Sequence, residues 1–341
     1  MPGCQIRHRK SKEGEQTMSY ANYPLLFSIR GPAEVDPKAH MFLVPDGPRT
    51  HEYLDSFNKT CEEWLEKLTK DDPYPDNIRK ETIHYQRDSY IGRAIVYRPD
   101  TDELLPMCLF THGGSYLFWT PEYYDVMCAN IAARGNCIVV NIDFRMNIDV
   151  LIPDMFEDAY AGILAAVEQA GSFGGDPSRL ALMGDSSGST MAAGLSLMCR
   201  DRGTPHISHR ILIAGGIGFD PEDLDNGNLN AAKTQLMGAQ NVVKRGFKTI
   251  EQSQIPYYSP INDKDMGKCP PTTFIVGTAD YMWREVSIYA KCLQDAGVEI
   301  NIGLFQGMPH GFYNGGCGAA AWDCWSYIGE TMQKYLGKKP D

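Results

Sequence analysis

The chain has 341 residues, 43% hydrophobic and 22% charged, enough for one large globular domain or two modest ones. Its formal net charge of −11 argues against nucleic acid or an anionic membrane as the main binding partner. No hydrophobic run approaches the about 20 residues needed to span a bilayer, and the polar N-terminus lacks the hydrophobic core of a secretory signal. We therefore expect a cytoplasmic protein with no membrane span.

The cysteine pattern gives no indication of a metal site. Of the ten cysteines, no two have C-x-x-C spacing, so neither a zinc site nor a thioredoxin-type redox motif is expected. Several, such as Cys108 and Cys137, lie in hydrophobic runs and are typical of small buried side chains. We expect neither a metal nor a cofactor.

The first predicted element is a helix over residues 51–70, where hydrophobic residues recur at helical spacing. Before it, residues 1 to about 20 are expected to form a flexible tail. Strands are then predicted at residues 81–86, 93–99, 105–114, 137–144, 179–186, 210–218, 272–280 and 299–307. Helices are predicted at residues 121–134, 154–170, 187–200, 284–297 and 319–336, and residues 219–258 are expected to be polar and irregular.

This alternation of short buried strands with helices predicts an α/β fold, in which a mostly parallel central sheet is flanked by helices on both faces. In such sheets, functional groups lie beyond the carboxyl ends of the strands. Four polar motifs follow predicted strands at such ends: THGGSY (111–116), GDSSG (184–188), GTADYMW (277–283) and GMPHGF (307–312). We therefore expect all four to converge at one edge of the sheet.

Ser186 is the candidate nucleophile, because it has glycines two places before and after it between a strand and a helix. The motif alone is weak, since it also fits a turn with no chemistry. A sharp turn would expose the hydroxyl, and the glycines would give the turn room. The next helix begins at Ser187, so its first N–H groups would face a developing anion.

Asp280 and His310 are the candidate acid and base. A serine needs a base to take its proton, and histidine is the usual one, with a carboxylate to orient it. Asp280 ends a predicted strand, although it could instead cap the next helix. His310 lies in a Pro-His-Gly loop, whereas His112 more plausibly keeps the glycine loop in shape. The order Ser186, Asp280, His310 is that of α/β-hydrolases.

These motifs, in this order, resemble the hormone-sensitive-lipase-like carboxylesterases of the α/β-hydrolase fold, from about residue 82 to the C-terminus. The resemblance implies that Ser186, Asp280 and His310 form the triad, and that Gly113, Gly114 and Ser187 donate backbone N–H groups to the oxyanion. It also implies an N-terminal tail with cap helices over residues 1–80, a catalytic domain over residues 81–341, and a cap insertion at 219–258.

The chain departs from the family pattern close to the predicted chemistry. Ser115 replaces the third glycine of H-G-G-G, and Ser187 follows the nucleophile where the family often has alanine. We hypothesise that the Ser115 hydroxyl is an additional oxyanion donor, while a local bond that only stiffens the loop stays open. Tyr116, Phe118 and Trp119 are predicted to crowd the substrate pocket, with core packing as the alternative.

The leading interpretation is a serine carboxylesterase that hydrolyses a small or medium carboxylic ester through an acyl-enzyme. A small-molecule receptor is the rival from another class, since the plant gibberellin receptors resemble this family. Those receptors lack the catalytic histidine, which this chain has at position 310. A biosynthetic enzyme that uses the same site for acyl transfer, elimination or cyclisation stays open, as do the substrate and the oligomeric state.

Overall fold

The structure, a computed structural model, describes residues 25–26, 50–219 and 239–337. Within these residues, eight strands form one sheet in the order β1-β2-β4-β3-β5-β6-β7-β8. Strand β2 is antiparallel to both of its neighbours, β1 and β4, and every neighbouring pair from β4 to β8 is parallel. The strands are β1 (Ile78–Arg87), β2 (Tyr90–Pro99), β3 (Leu105–Thr111), β4 (Ile138–Ile142), β5 (Gly175–Asp185), β6 (His209–Ile213), β7 (Thr272–Gly277) and β8 (Ile300–Phe305).

Helices cover both faces of the sheet, as the alternation of elements predicts. They are α1 (His51–Thr69), α2 (Asp125–Gly135), α3 (Ile152–Glu168), α4 (Ser187–Arg202), α5 (Ala239–Gly246), α6 (Ile250–Ser253), α7 (Trp283–Asp295) and α8 (Ala319–Leu336). One hydrophobic cluster joins the sheet to α3, α4, α5 and α7, and the other joins it to α1, α2 and α8. The predicted α/β architecture is therefore confirmed.

The central strands alternate between these two clusters with the period of two that a strand requires. In β3, Met107 and Leu109 belong to the cluster of α3 and α4, whereas Cys108 and Phe110 belong to that of α2 and α8. All seven residues of β3 are buried. The sheet is thus a rigid support for the loops that follow its strands.

The strand predicted at 210–218 is shorter in the structure, because β6 ends at Ile213. The next residue, Ala214, has a φ of 51°, and Gly216 and Gly218 have φ values of 107° and 109°. Such positive φ values are incompatible with an extended strand, so the chain leaves the sheet there. The prediction mistook a hydrophobic, glycine-rich turn for a continuation of the strand.

Part of the predicted cap lies within the described residues. The predicted helix near 51–70 is observed as α1, whose first turn is capped by Thr50. Within the insertion predicted at 219–258, the segment 239–258 contains α5 and α6, so this part is more regular than the sequence indicated. The predicted tail at 1–20 and the insertion residues 220–238 lie outside the described residues. The proposed division at residue 80 stays a prediction.

Candidate active site

Ser186 lies at the sharp turn between β5 and α4, with φ 51° and ψ −122°. A backbone conformation this rare for a side-chain-bearing residue costs about 1–3 kcal/mol and persists only where its surroundings enforce it. A Cβ on Gly184 would lie 2.0 Å from the Gly188 carbonyl oxygen, and one on Gly188 would lie 2.1 Å from that of Thr111. The two motif glycines are therefore needed because backbone segments meet here without space for a side chain.

The structure brings Ser186, His310 and Asp280 into one hydrogen-bonded chain. The His310 Nε2 atom lies 2.9 Å from Ser186 Oγ. The Nδ1 atom of the same ring lies 3.0 Å from each carboxylate oxygen of Asp280. Since an ionised carboxylate can only accept, Nδ1 carries the ring proton, and Nε2 is left to accept from the serine hydroxyl. This is the arrangement that a nucleophile, its base and the group orienting the base require.

The surroundings of His310 set its protonation. Burial disfavours the imidazolium, but the charge and hydrogen bonds of Asp280, followed by the charge of Asp185, outweigh burial and raise the pKa of His310 above its usual 6.5. A positive charge that forms on the ring during the reaction is therefore stabilised where it forms. Asp280 itself is only 1% exposed, so water screens the pair weakly.

Asp280 also bonds to the backbone that follows it. Asp280 Oδ1 also accepts from the N–H of Met282 at 2.8 Å, so this side chain supports the start of α7 as well as His310. Asp295, at the far end of α7, pairs with Lys291. The residue at the N-cap of α7 is Met282, and no side chain among the described residues caps the helix, so Asp280 is not its cap.

His112 is buried between the rings of Tyr124 and Phe144, at centroid distances of 5.3 and 5.0 Å. Its Nδ1 donates to the Gly113 carbonyl oxygen at 2.9 Å. Burial lowers the pKa of His112 to about 4, so the ring stays neutral near pH 7. A neutral ring that donates to a loop carbonyl fits the predicted part of His112 in holding the loop.

Gly113 has a different partner from the one predicted. Its N–H donates to Asp185 Oδ1 at 2.7 Å, and the Tyr124 hydroxyl donates to Oδ2 at 3.1 Å. Burial raises the pKa of Asp185 to about 7. Because one N–H cannot serve both a carboxylate at this distance and a substrate oxyanion, the geometry does not support Gly113 as an oxyanion donor. Its N–H instead ties the loop to β5.

The next three residues form a strained turn. Gly113 and this turn, residues 113–116, are called the oxyanion loop below. The φ values of Gly114, Ser115 and Tyr116 are 118°, 55° and 60°. The Gly114 carbonyl oxygen accepts from the N–H groups of Leu117 and Phe118, at 2.9 and 2.8 Å. These bonds polarise the peptide group that links Gly114 to Ser115, and a polarised peptide makes its N–H a stronger donor.

Ser187 is the first residue of α4 and follows the candidate nucleophile directly. The first N–H groups of a helix have no partner within the helix, and the helix dipole favours negative charge at that end. Ser187 is therefore placed to offer its N–H to an anion formed at Ser186. Its side-chain Oγ is buried without a hydrogen-bond partner among the described residues.

The three predicted pocket residues are mostly engaged in packing. Phe118 is 1% exposed and packs edge-on against Phe57 of α1, with ring centroids 5.0 Å apart. Trp119 stacks on Tyr123 at 4.6 Å. Tyr116 is 4% exposed and belongs to the other hydrophobic cluster. This favours the packing alternative for Phe118 and Trp119, and their predicted contact with substrate stays a prediction.

Neither a metal-binding cluster nor a membrane span is seen in the part of the chain that the structure describes. There, no group of three or more His, Cys, Asp or Glu side chains is arranged to hold a metal ion. Over the same residues, no helix combines the length and hydrophobicity that crossing a membrane requires.

Several residues around the site were not singled out from the sequence. Asp185 lies in the GDSSG motif, directly before the candidate nucleophile, and that position was the signal that could have marked it as a site residue. Tyr281 lies against the His310 ring, with centroids 4.7 Å apart. Arg245 and Asn58 reach the site from the predicted cap, where local sequence carries no signal of such contacts.

The fold and this hydrogen-bonded serine, histidine and aspartate define a hydrolase of the α/β type. A family model described as the alpha/beta hydrolase fold matches residues 108–314, more than half of the chain, so the chain belongs to that family. The match spans all four predicted motifs completely, including the one that contains His310. The resemblance inferred from the motifs is confirmed.

Several similar proteins are named as esterases. The chain is 25% identical over 243 residues to carboxylesterase NlhH of Mycobacterium tuberculosis, covering 70% of this chain and 76% of that protein. It is 27% identical over 227 residues to esterase LipI of the same organism, covering 65% and 71%. Among solved structures, a hyperthermophilic esterase from the archaeon Pyrobaculum calidifontis has a TM-score of 0.72 at 25% identity, covering 84% of this chain and 92% of that one.

Proposed function

We propose that this chain is a serine carboxylesterase that hydrolyses small or medium carboxylic esters through an acyl-enzyme. The observation that carries the proposal is the unbroken chain from Asp280 through His310 to Ser186, at the carboxyl end of β5. The family membership and the esterase relatives support the same activity.

In the first half-reaction, Ser186 Oγ attacks the ester carbonyl carbon while His310 Nε2 takes its proton. The carbonyl oxygen becomes an oxyanion. The N–H groups of Gly114 and Ser187 are proposed to stabilise it, with the Ser115 hydroxyl as a further donor. The tetrahedral intermediate then collapses: the bond to the alcohol oxygen breaks, and the alcohol leaves with the proton from His310.

In the second half-reaction, water attacks the acyl group on Ser186, and His310 Nε2 takes a proton from that water. The new tetrahedral intermediate collapses by breaking its bond to Ser186 Oγ, which recovers the proton. The carboxylic acid is released and the enzyme returns to its starting state. Asp280 stabilises the imidazolium in both halves, so its charge acts twice in each cycle.

The geometry bears on the receptor alternative. Loss of the histidine was the feature expected of a receptor, and here His310 is present and hydrogen-bonded to both of its predicted partners. Acyl transfer, elimination and cyclisation would use the same residues, so they differ from hydrolysis only in what accepts the acyl group or in what leaves. Product analysis separates them.

The test is turnover of a panel of activated and plain esters by the purified protein, with both products quantified by mass spectrometry. We expect acid and alcohol in equal amounts, and a loss of at least about 10⁴-fold for Ser186→Ala and for His310→Ala, because triad members act as a unit. The exposed residues Ser172 and His206 offer matched controls, since their alanine variants should retain full activity.

Two results would overturn the proposal. Substantial turnover by Ser186→Ala would show that another group is the nucleophile. An acyl product found only on an added alcohol or amine, without free acid, would assign an acyl transferase in place of an esterase.

A further inference from the structure

The oxyanion loop is held in part by a residue from outside the α/β core. Arg245, on α5 of the predicted cap insertion, donates to the Ser115 carbonyl oxygen from Nη2 at 3.1 Å. It also donates to the Tyr116 carbonyl oxygen from Nη1 at 3.3 Å. One guanidinium thus spans two consecutive carbonyls, a fork geometry that a lysine ammonium cannot reproduce.

The two carbonyls that Arg245 contacts belong to residues that need external support. Ser115 and Tyr116 both have side chains, yet their φ values of 55° and 60° lie in the left-handed region that favours glycine. A run of strained residues relaxes to a different conformation unless neighbouring groups enforce it. Each relaxed conformation would turn the adjacent peptide groups and re-aim their N–H groups.

The chain just after the oxyanion loop is held by the N-terminal part of the predicted cap. Asn58 of α1 accepts from the N–H of Trp119 through Oδ1 at 2.9 Å, and Trp119 also has a positive φ, of 73°. The core itself holds the start of the loop, through the bond from the Gly113 N–H to Asp185. Ser115, Tyr116 and Trp119 are thus each hydrogen-bonded through a backbone group to a residue of the predicted cap.

We propose that Arg245 is a positioning residue for ester hydrolysis, which fixes the aim of the oxyanion donors at Gly114 and Ser115 by holding the carbonyls just beyond them. This inference rests on the proposed function. It assigns α5 a part in transition-state stabilisation as well as in covering the site. An interaction that aims donors at a developing charge acts in the transition state more than in the bound substrate.

The test compares Arg245→Ala and Arg245→Lys with wild type, using an activated ester and a trifluoromethyl ketone. The serine hydroxyl adds to the carbonyl carbon of the ketone, and the former carbonyl oxygen then mimics the oxyanion. For Arg245→Ala we expect kcat/KM to fall at least about tenfold, mainly through kcat, with ketone affinity falling by a similar factor. Arg245→Lys should be intermediate, because an ammonium holds one carbonyl at a time. Substrate affinity, measured in a Ser186→Ala background, should change by less than about twofold.

Lys244→Ala is the matched control, because Lys244 is the exposed neighbour of Arg245 on α5 and should leave all these values unchanged. Asn58→Ala provides a second route if Arg245→Ala folds poorly in thermal unfolding, and should show the same parallel loss of kcat and ketone affinity. Unchanged kcat and ketone affinity in both Arg245 variants, or a loss confined to substrate affinity, would overturn the inference. A wild-type protein that neither hydrolyses the ester nor binds the ketone would instead overturn the proposed function.

Discussion

The substitution Gly188→Ala tests the close contact on which the site is built. Gly188 lies in the first turn of α4, and a Cβ there would lie 2.1 Å from the Thr111 carbonyl oxygen and 2.4 Å from that of His112. Non-bonded heavy atoms are most stable at about 3.5 Å or more, so α4 and the end of β3 must separate by more than about 1 Å. Both of these atoms belong to backbone, so no side-chain rotation relieves the contact.

The expected loss follows from what lies on the two sides of this contact. Ser186 and Ser187 lie at the start of α4, and the oxyanion loop follows β3, so separating these two segments moves the proposed nucleophile away from the proposed donors in that loop. A misplacement of about 1 Å can cost about a hundredfold in rate, equivalent to about 2.7 kcal/mol of barrier. Overpacking should also lower stability by about 1–3 kcal/mol.

The assay is kcat for an activated ester, corrected for the folded fraction from thermal unfolding in the same buffer. Gly171→Ala is the control, because a Cβ on Gly171 meets nothing within 4 Å, and both kcat and stability should stay close to wild type. A folded Gly188→Ala protein with kcat within about threefold of wild type would refute the reasoning, since the contact would then be unrelated to the geometry of the site.

Four further predictions concern charge, the oxyanion loop and the substrate. Because the pKa of His310 is raised above 6.5, the acid limb of the pH profile of kcat/KM should have its midpoint above that pH. Asp280→Asn should move this midpoint to lower pH and reduce kcat by about 10⁴-fold, and an unmoved midpoint would contradict this. Burial raises the pKa of Asp185 from 3.8 to about 7, so this carboxyl binds its proton more tightly in the folded state, and its contribution to stability is lost as the pH rises through that window. Asp185→Asn keeps an oxygen for the Gly113 N–H and should therefore be more stable than wild type between pH 4 and 7 in urea unfolding. Asp185→Ala removes that oxygen and should lose esterase activity, and equal activities in the two variants would argue against a loop-holding role. The donor hypothesis for Ser115 predicts a fall in kcat of about a hundredfold for Ser115→Ala, and a fall of less than about tenfold would leave the hydroxyl as a feature of the loop alone. If Tyr116, Phe118 and Trp119 crowd the pocket, a series of p-nitrophenyl esters should show highest kcat/KM for short acyl chains, and a maximum at long chains would count against it.

Much of the fold follows from local patterns, because the buried strands and amphipathic helices have distinct periods. The mostly hydrophobic runs in β3 and β4 predict central strands, and the structure buries every residue of both. The strand predicted over 210–218 is present only up to Ile213, because a hydrophobic composition does not reveal backbone dihedral angles. The positive φ of Ala214 ends β6 early, and alanine gives no signal of such a turn.

The candidate site residues could be predicted where reactive side chains come directly after the ends of strands. Ser186, Asp280 and His310 each come just after a strand of a parallel sheet, so topology alone brings them to one edge. The direction of an N–H was not predictable in the same way, and the Gly113 N–H donates to Asp185 in place of a substrate. Nor was Arg245, because its contact with residues 130 positions earlier depends on how the chain folds back.

The central claim is that Ser186 carries the acyl group during turnover. Its most direct test is to mix the protein with an excess of an activated ester, quench in acid within milliseconds to seconds, and locate the added mass by peptide mass spectrometry. The account predicts one acyl group per chain, on the peptide that contains Ser186, with no adduct in Ser186→Ala and much slower formation in His310→Ala. An acyl group found on another residue, or turnover that continues in Ser186→Ala, would contradict it.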